Sequence, residues 1–360
     1  MVAIRQILLG WGRIGIVGFG GPPAHIRLLR ELCVERNEWI DAVEFEDAIA
    51  VCNLLPGPAS TQLSIWSAWR VGGRLGGLVG GLAFIVPGFV VILALSMVFL
   101  SGHPPRWILG AGAGAGAAVA AVALHAGWTL TPTSWQRTPS RVRWGAYALA
   151  AAVAAAVLGP WVVVVLLGCG VAELGWSRYG LRRTQGTINA WTLPALLWTA
   201  VKVGALSYGG GFVIIPLMRG DAVDKYGWLS SQRFLDAVAL GQITPGPVVH
   251  TVGAVGYAAA GVPGAVLATV VAFTPSFLFV LLGAPRFDRI RGARGPRAFL
   301  AGAGPAAIGA IVGSSIPLAR ALNEPWQWVV LATALILLFV GRVGIVTTLV
   351  IAAVAGVLAL

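Results

Sequence analysis

Long apolar segments, interrupted by glycine, proline and arginine, make up most of this 360-residue chain. Only 11% of the residues are charged, whereas an ordinary soluble domain contains about 25%. So few charges cannot cover a water-exposed surface, and the apolar segments are too many and too long for one globular core. The sequence therefore predicts an all-α polytopic membrane protein and excludes disordered, collagenous and secreted disulfide-linked chains.

Arginines between the apolar segments contribute most of the net charge of +12. They cluster at 70–74, 137–143, 178–183 and 286–297. An excess of Lys and Arg in short loops marks the cytoplasmic side of a membrane protein. We therefore expect a multi-pass protein of the cell inner membrane, in contact with the lipid bilayer and not with nucleic acid. The N-terminal segment lacks a small-residue cleavage signal, so we expect it to be retained in the membrane.

Motifs for catalysis or for a bound cofactor are not found in the sequence. It contains no G-x-S-x-G, HExxH or Walker A pattern. The three cysteines, Cys33, Cys52 and Cys169, are far apart, and no Cys/His cluster indicates a metal site. We therefore expect a protein that is not an enzyme and that holds neither cofactor nor metal.

The chain repeats itself at a spacing of 189 residues. Pro56-Gly57-Pro58 returns as Pro245-Gly246-Pro247, and no gap is needed from residue 13 to residue 58. A spacing of 188 aligns Pro87 with Pro275. Further pairs at 189 are Gly15/Gly204, Arg30/Arg219, Trp39/Trp228, Phe45/Phe234 and Asp47/Asp236. We infer an N-terminal repeat over 1–175, a basic linker over 176–189 and a C-terminal repeat over 190–360.

The charges of equivalent loops are reversed between the repeats. The loop at 70–74 holds two arginines, whereas its equivalent at 261–263 holds none. The loop at 103–106 holds one arginine, whereas the region 286–297 holds five. Equivalent loops therefore face opposite sides, as in inverted-topology halves. A tandem parallel repeat with incidental loop charges is the alternative.

Each Pro-Gly-Pro sequence lies between apolar segments too short to span a bilayer, which requires about 20 residues. Proline stops a helix and glycine permits a sharp reversal. We expect Pro58 and Pro247 to be the first helical residues, with unpaired N–H groups at 59–62 and 248–251. A helix N-terminus inside the membrane favours an anion. A simple turn at the membrane surface is the alternative.

Hydrogen-bond donors flank both Pro-Gly-Pro sequences. Asn53 and Gln242 are repeat equivalents, three residues before each. Ser64 and Ser67 match Gly253 and Gly256, a small-residue face that we interpret as a packing surface. The other donors nearby are Ser60, Thr61 and Gln62 in the first repeat and Thr244, His250 and Thr251 in the second.

A second break, Phe19-Gly20-Gly21-Pro22, returns as Tyr208-Gly209-Gly210-Gly211. Arg13 and Lys202 lie six residues before these breaks, each inside apolar sequence. A cation within the membrane faces a cavity or a partner. We interpret both as candidates for substrate attraction. The alternatives are snorkelling to the interface and pairing with Asp47 or Asp236, which are themselves either proton carriers or helix-entry residues.

The residues at these breaks resemble those of the chromate ion transporter family. The resemblance rests on FGGPPAHI at 19–26, LLPGPAS at 54–60, SYGGG at 207–211 and QITPGP at 242–247. It extends over nearly the whole chain, in the long, two-domain form. It implies membrane transport of chromate, with efflux as the usual role, and related members are discussed for sulfate.

Chromate is a tetrahedral dianion whose oxygens only accept hydrogen bonds, so its site needs donors and positive charge. We expect efflux driven by the membrane potential, a proton gradient or both. The alternatives are a transporter of sulfate or another oxyanion, working as an exporter or an importer, and a non-transporting membrane scaffold. The sequence leaves open whether the protein forms a homo-oligomer. The candidate substrate-binding residues are Arg13, Gly20, Gly21, Asn53, Gly57, Ser60, Thr61, Gln62, Lys202, Gly209, Gly210, Gln242, Gly246, His250 and Thr251, and the proton-coupling candidates are Asp47 and Asp236.

Overall fold

The computed structural model describes residues 2–19, 21–53, 55, 57–100, 105–137, 140–158, 162–176, 192–207, 213–284 and 294–359. All regular structure in these ranges is helical, which confirms the predicted all-α fold. In the first half the α-helices are α1 Ile4–Val17, α2 Pro22–Arg30, α3 Ala42–Cys52, α4 Ala59–Phe99, α5 Arg106–Arg137, α6 Arg141–Val153 and α7 Val162–Trp176. In the second they are α8 Thr192–Leu206, α9 Ile214–Arg219, α10 Ser231–Ile243, α11 Thr251–Gly283, α12 Arg294–Arg320, α13 Pro325–Phe339 and α14 Ile345–Ala359.

The repeat is visible in the local backbone. A π-helical turn, Glu31–Arg36, continues α2, and an equivalent turn, Gly220–Lys225, continues α9 at a spacing of 189 residues. Glu38 and Gly227, also 189 apart, both have a positive φ, of 50° and 61°. Because short-range backbone conformations recur at the same spacing as the residues, the two halves share a local fold. Other irregular turns are Ala154–Leu158, which is π-helical, and Val248–His250, which is a 3-10 helix.

The helices α4 and α11 are each bent into two arms by a glycine. Gly73 has φ 66° and ψ −162°, and Gly261 has φ 61° and ψ −152°. A β-carbon at Gly76 would lie 2.6 Å from the carbonyl oxygen of Ala68, so the two arms of α4 lie against each other as a hairpin. The first arm of α4, residues 59–72, is about 21 Å long and cannot cross the roughly 30 Å hydrocarbon core alone.

Four helices among the described residues are long and apolar enough to cross a membrane, as the composition predicted. They are Ala59–Phe99, Arg106–Gln136, Val248–Gly283 and Ala301–Arg320. In the two hairpin helices the second arms, 74–99 and 262–283, are about 39 and 33 Å long and meet the length requirement. Full spans are thus combined with shorter helices that end at Pro-Gly-Pro sequences.

The chain forms two compact units, and each takes residues from both halves of the sequence. Unit 1 comprises Met1–Ser101, Ala200–Gly211 and Leu240–Gly292. Unit 2 comprises Gly102–Thr199, Phe212–Ala239 and Ala293–Leu360. The tertiary units therefore cut across the two sequence repeats.

Glycines allow close helix packing within each unit. In unit 1, a β-carbon at Gly15 of α1 would lie 2.7 Å from the Phe84 carbonyl oxygen of α4, and one at Gly204 of α8 would lie 2.0 Å from the Ala272 carbonyl oxygen of α11. In unit 2, Gly114 of α5 has equally little space against α14. Small residues let the backbones approach, as is common for helices in membranes.

Candidate functional site: the Pro-Gly-Pro loops of unit 1

The glycines of both Pro-Gly-Pro loops lie in unit 1. Gly57 has φ 115° and Gly246 has φ 93°, a region that other residues rarely adopt. The expectation that Pro58 and Pro247 begin the next helices was wrong by one residue. Both have extended backbone angles and act as caps, so the helical turns start at Ala59 and Val248.

Fewer backbone N–H groups are free at these helix starts than the sequence suggested. The Gln62 N–H already donates to the Pro58 carbonyl oxygen over 3.1 Å, and the His250 N–H donates to the Pro247 carbonyl oxygen over 3.0 Å. The N–H groups ahead of the first intrahelical bond are therefore those of 59–61 and 248–249. They remain a place where the helix dipole favours negative charge.

The second Pro-Gly-Pro loop packs against helices of the first half. The Gly246 N–H donates to the Gly18 carbonyl oxygen over 2.9 Å, which joins the loop to the break after α1. A β-carbon at Gly88 of α4 would lie 2.2 Å from the Pro245 carbonyl oxygen and 2.7 Å from the His250 ring. The backbone of α4 thus approaches this loop directly after Pro87.

The first Pro-Gly-Pro loop makes the reciprocal contact with helices of the second half. A β-carbon at Gly57 would lie 3.1 Å from the Gly204 carbonyl oxygen, 3.1 Å from Ser276 Oγ and 2.8 Å from Gln62 Nε2. Ser276 is the repeat equivalent of Gly88, and each directly follows the proline inside its long helix. Each loop therefore packs on the proline-interrupted helix of the other half.

His25 joins the break after α1 to the start of α4. Its Nε2 lies 2.8 Å from the Gly18 carbonyl oxygen, and its Nδ1 lies 3.2 Å from Ser60 Oγ. A carbonyl oxygen only accepts, so Nε2 carries the proton and Nδ1 accepts from the Ser60 hydroxyl. The ring also meets Phe84 edge-on, with 5.0 Å between ring centroids. His25 is fully buried and positions both segments.

Buried polar side chains without a hydrogen-bond partner are concentrated near these loops. In the part of unit 1 that the structure describes, the unpartnered atoms include hydroxyls and the Gln242 amide nitrogen. A buried donor without an acceptor costs about 1–3 kcal/mol. A bound group rich in acceptor oxygens would remove that cost. The hydroxyls are those of Thr61, Ser64, Ser207, Thr269 and Ser276.

Most of the predicted substrate-binding residues lie in unit 1 and are buried. Ser60 is committed to His25, while the Thr251 hydroxyl donates to the Val248 carbonyl oxygen over 2.8 Å. The buried, predicted residues that unit 1 brings together are Gly57, Ser60, Thr61, Gln62, Lys202, Gln242, Gly246, His250 and Thr251.

Two pairs of repeat equivalents have different environments. Arg13 is exposed on α1, whereas Lys202 on α8 is 7% exposed. The Asn53 amide donates to the Ile49 carbonyl oxygen of its own helix over 2.8 Å, whereas the Gln242 amide nitrogen has no partner in the described part of the chain. Arg13 and Asn53 therefore do not belong with the buried, unpartnered donors of unit 1.

The remaining predicted residues are not placed among the buried donors near the Pro-Gly-Pro loops. Gly21 caps α2 with φ 74° and has open space around it, and Gly20, Gly209 and Gly210 lie outside the described residues. Asp47 is half-buried in α3 of unit 1, while Asp236 lies in α10 of unit 2. Neither is a helix-entry residue. The cap of α3 is Asp41, whose carboxylate accepts from the Val43 N–H over 2.8 Å.

Two residues at the Pro-Gly-Pro loops, His25 and Ser276, were not predicted as site residues from the sequence. His25 has no histidine at the equivalent position, which is Ile214, so the repeat did not indicate it. Ser276 follows Pro275, and the alignment of that proline with Pro87 was the available signal. Both become evident only when the loop of one half is seen against a helix of the other.

A family model of chromate transporters matches residues 5–174 and 194–357 of this chain. The chain belongs to the chromate transporter family. It is 33% identical to the chromate transport protein of Cupriavidus metallidurans, over 93% of this chain and 88% of the relative. It is 31% identical to a probable chromate transport protein of Synechococcus elongatus, over 88% and 85%. A chromate transport protein of Pseudomonas aeruginosa is 28% identical, over 89% and 82%. No solved structure matches the chain.

Membership of the chromate transporter family identifies the protein as a membrane transport protein and not an enzyme. The two separately matched segments confirm that the chain consists of two repeated halves, and they are consistent with the inverted arrangement that the loop charges predict. Both Pro-Gly-Pro loops lie within the matched segments, one in each.

Proposed function

We propose that this protein transports chromate out of the cell across the inner membrane, with the ion bound at the buried donors of the Pro-Gly-Pro loops. The proposal is supported by the donors that have no partner in the described part of unit 1, which include Thr61, Ser276 and Gln242. These groups are buried without acceptors, and chromate offers four oxygens that accept hydrogen bonds.

Positive charge for the dianion comes from two sources. The helices that begin at Ala59 and Val248 present backbone N–H groups at their N-termini, within the same unit as the hydroxyls. Lys202 is a buried cation on α8, and this helix meets the Gly57 loop at Gly204, two residues further on. An ammonium group inside a membrane protein is costly unless it serves a partner or a substrate.

The membrane potential alone supplies a sufficient driving force for export. Moving one elementary charge through 100 mV is worth about 2.3 kcal/mol, so a dianion leaving an inside-negative cell gains about 4.6 kcal/mol. This free energy sustains a concentration ratio of about three orders of magnitude. Coupling to protons is therefore not required, although Asp47 and Asp236 are the candidates for it.

The test is chromate flux in proteoliposomes that contain the full chain, with the potential and the pH gradient set independently. We expect flux to follow the potential, directed towards the positive side, at zero pH gradient. Sulfate has the same shape and charge, so competition by sulfate measures selectivity among tetrahedral oxyanions. Absence of chromate flux under every gradient, with correctly folded protein, would support the non-transporting scaffold.

A further inference from the structure

Two arginines line a cavity in unit 2, whereas the glycines of the Pro-Gly-Pro loops belong to unit 1. A cavity of about 290 Å³ is lined by Arg219 at the end of α9, Arg320 at the end of α12, Ser231 at the start of α10 and Asp224. This volume is at the small end of the range for ligand pockets, so it suits a small ion and not a large organic molecule.

The charges in this cavity do not cancel. Arg219 Nη1 lies 2.9 Å from Asp224 Oδ2, which pairs one guanidinium with one carboxylate. Arg320 is exposed and forms no ion pair within the described part of the chain. One positive charge therefore remains, beside the first N–H groups of α10, where the helix dipole adds to it. A planar guanidinium is well suited to bind the oxygens of a tetrahedral anion in pairs.

At the equivalent position of the first repeat, negative charges outnumber positive ones. Arg30, the equivalent of Arg219, contacts two carboxylates, those of Glu35 and Glu46. The position that matches Glu46 in the second repeat is Leu235, so one carboxylate has been lost there. The excess positive charge is thus specific to the second repeat and does not follow from the shared local fold.

The positive-inside rule, applied to α12, predicts that this cavity faces the outer side of the membrane. The helix begins at Arg294, within the stretch of five arginines that the positive-inside rule assigns to the cytoplasm. It rises about 40 Å over its 27 residues, more than the hydrocarbon thickness, and ends at Arg320. The simplest structural role of Arg320 is to complement the C-terminal dipole of α12.

We propose that the cavity between Arg219, Arg320 and Ser231 is a peripheral binding site for a free divalent oxyanion on the outer face. The choice of a divalent oxyanion rests on the proposed function, but the site itself is independent of transport. Anionic phospholipid headgroups carry related phosphate chemistry, so the experiment must separate lipid from free ion.

The test uses the full chain in nanodiscs, which expose both faces. Ser231→Cys places a thiol in the cavity, and the native cysteines Cys33, Cys52 and Cys169 are buried. Its matched control is Ala42→Cys, the repeat equivalent at the start of α3. Labelling rates are compared for an anionic and a cationic methanethiosulfonate of similar size. Sulfate serves as the competing ion, because chromate would oxidise the thiol.

At Ser231→Cys, compared with Ala42→Cys, we expect the anionic reagent to react about fivefold faster and the cationic reagent about fivefold slower, the effect of one elementary charge at close range. Sulfate should slow labelling of Ser231→Cys only. Arg320→Gln should abolish both effects, while Arg320→Lys should keep part of the charge preference. The same protection by sulfate in a Gly57→Leu background would separate this site from the transport site.

Four results would overturn the proposal. The first is no effect of sulfate on Ser231→Cys, and the second is equal protection of Ala42→Cys. The third concerns the lipid: labelling of Ser231→Cys is slow in nanodiscs that contain phosphatidylglycerol, but sulfate does not slow it in nanodiscs of neutral phosphatidylcholine. That pair of results would assign the cavity to a lipid headgroup. The fourth is an Arg320→Gln variant that changes the thermal midpoint but not the labelling of Ser231→Cys, which would show that the arginine only stabilises the end of α12.

Discussion

The backbone N–H of Gly246 donates to the carbonyl oxygen of Gly18 over 2.9 Å. This bond joins the Pro-Gly-Pro loop of the second repeat to the first helix break of the first repeat. The same carbonyl oxygen is 2.8 Å from His25 Nε2, so one acceptor holds two donors from different segments. The break after α1 and the second Pro-Gly-Pro loop, which the sequence showed separately, are therefore packed together in unit 1.

Gly57→Ala should abolish chromate flux while membrane insertion is preserved. The new β-carbon would meet Gln62 Nε2 at 2.8 Å, at a positive φ that costs about 1–2 kcal/mol for other residues. Gly73→Ala is the matched control, because it has the same kind of backbone strain and open space around it. Normal flux in Gly57→Ala, measured in proteoliposomes at equal protein content, would contradict a role for this loop.

Lys202→Gln and Arg13→Gln should differ in effect although the residues are repeat equivalents. Lys202 is buried in unit 1, so its loss should lower flux at subsaturating chromate by about tenfold or more. Arg13 is exposed, and its loss should change flux by less than about twofold. Lys202→Arg, which keeps the charge, should retain more flux than Lys202→Gln. Full flux in the double Gln variant would assign both residues to packing or topology.

Gln242→Leu should raise the KM for chromate by about tenfold, since a hydrogen bond to a charged group contributes about 1.5–3 kcal/mol. Asn53→Leu should have little effect on KM, because the Asn53 amide is already bound to its own helix. Concentration series of flux for both variants check this. Equal changes at the two positions would show that the unpartnered Gln242 amide is not a substrate donor.

Ser60→Ala should lower the free energy of unfolding by about 1 kcal/mol in the wild type, because it removes the donor to His25. In a His25→Phe background the same change should cost little, since the bond is already lost. The two single variants and the double variant form a thermodynamic cycle, measured by denaturant unfolding in detergent. Purely additive effects would show that the two side chains do not interact.

Arg36→Cys and Lys225→Cys should be labelled from opposite sides of right-side-out vesicles. These exposed residues are repeat equivalents and end the two matching π-helical turns. Arg70 pairs with Glu44 near the start of α3, so the basic loop of the first repeat lies on the side of Arg36. We expect an impermeant maleimide to reach Lys225→Cys only. Equal external labelling of both would establish a parallel repeat.

The positions of the helix breaks were predictable because proline and glycine act on the local backbone. Proline removes a donor and glycine permits a positive φ whatever surrounds them. The loops expected at 70–74 and 261–263 coincide with the bends at Gly73 and Gly261, because glycine at both positions, with arginines at the first and a proline at the second, interrupts the apolar pattern. Reasoning from the sequence placed the starts of the helices after the Pro-Gly-Pro loops one residue too early, at Pro58 and Pro247.

The amino-acid sequence was enough to predict the membrane-helical class, the two repeats, the two Pro-Gly-Pro breaks and the break after α1, because composition and local backbone chemistry act over short stretches of chain. Which repeat equivalents share a site depends on tertiary packing, which the sequence pattern did not reveal. Arg13 and Lys202 occupy matching positions, yet one is exposed and the other buried, because unit 1 combines residues 1–101 with only two parts of the second repeat. Burial and hydrogen-bond partners depend on segments distant in sequence, which pack differently around each copy.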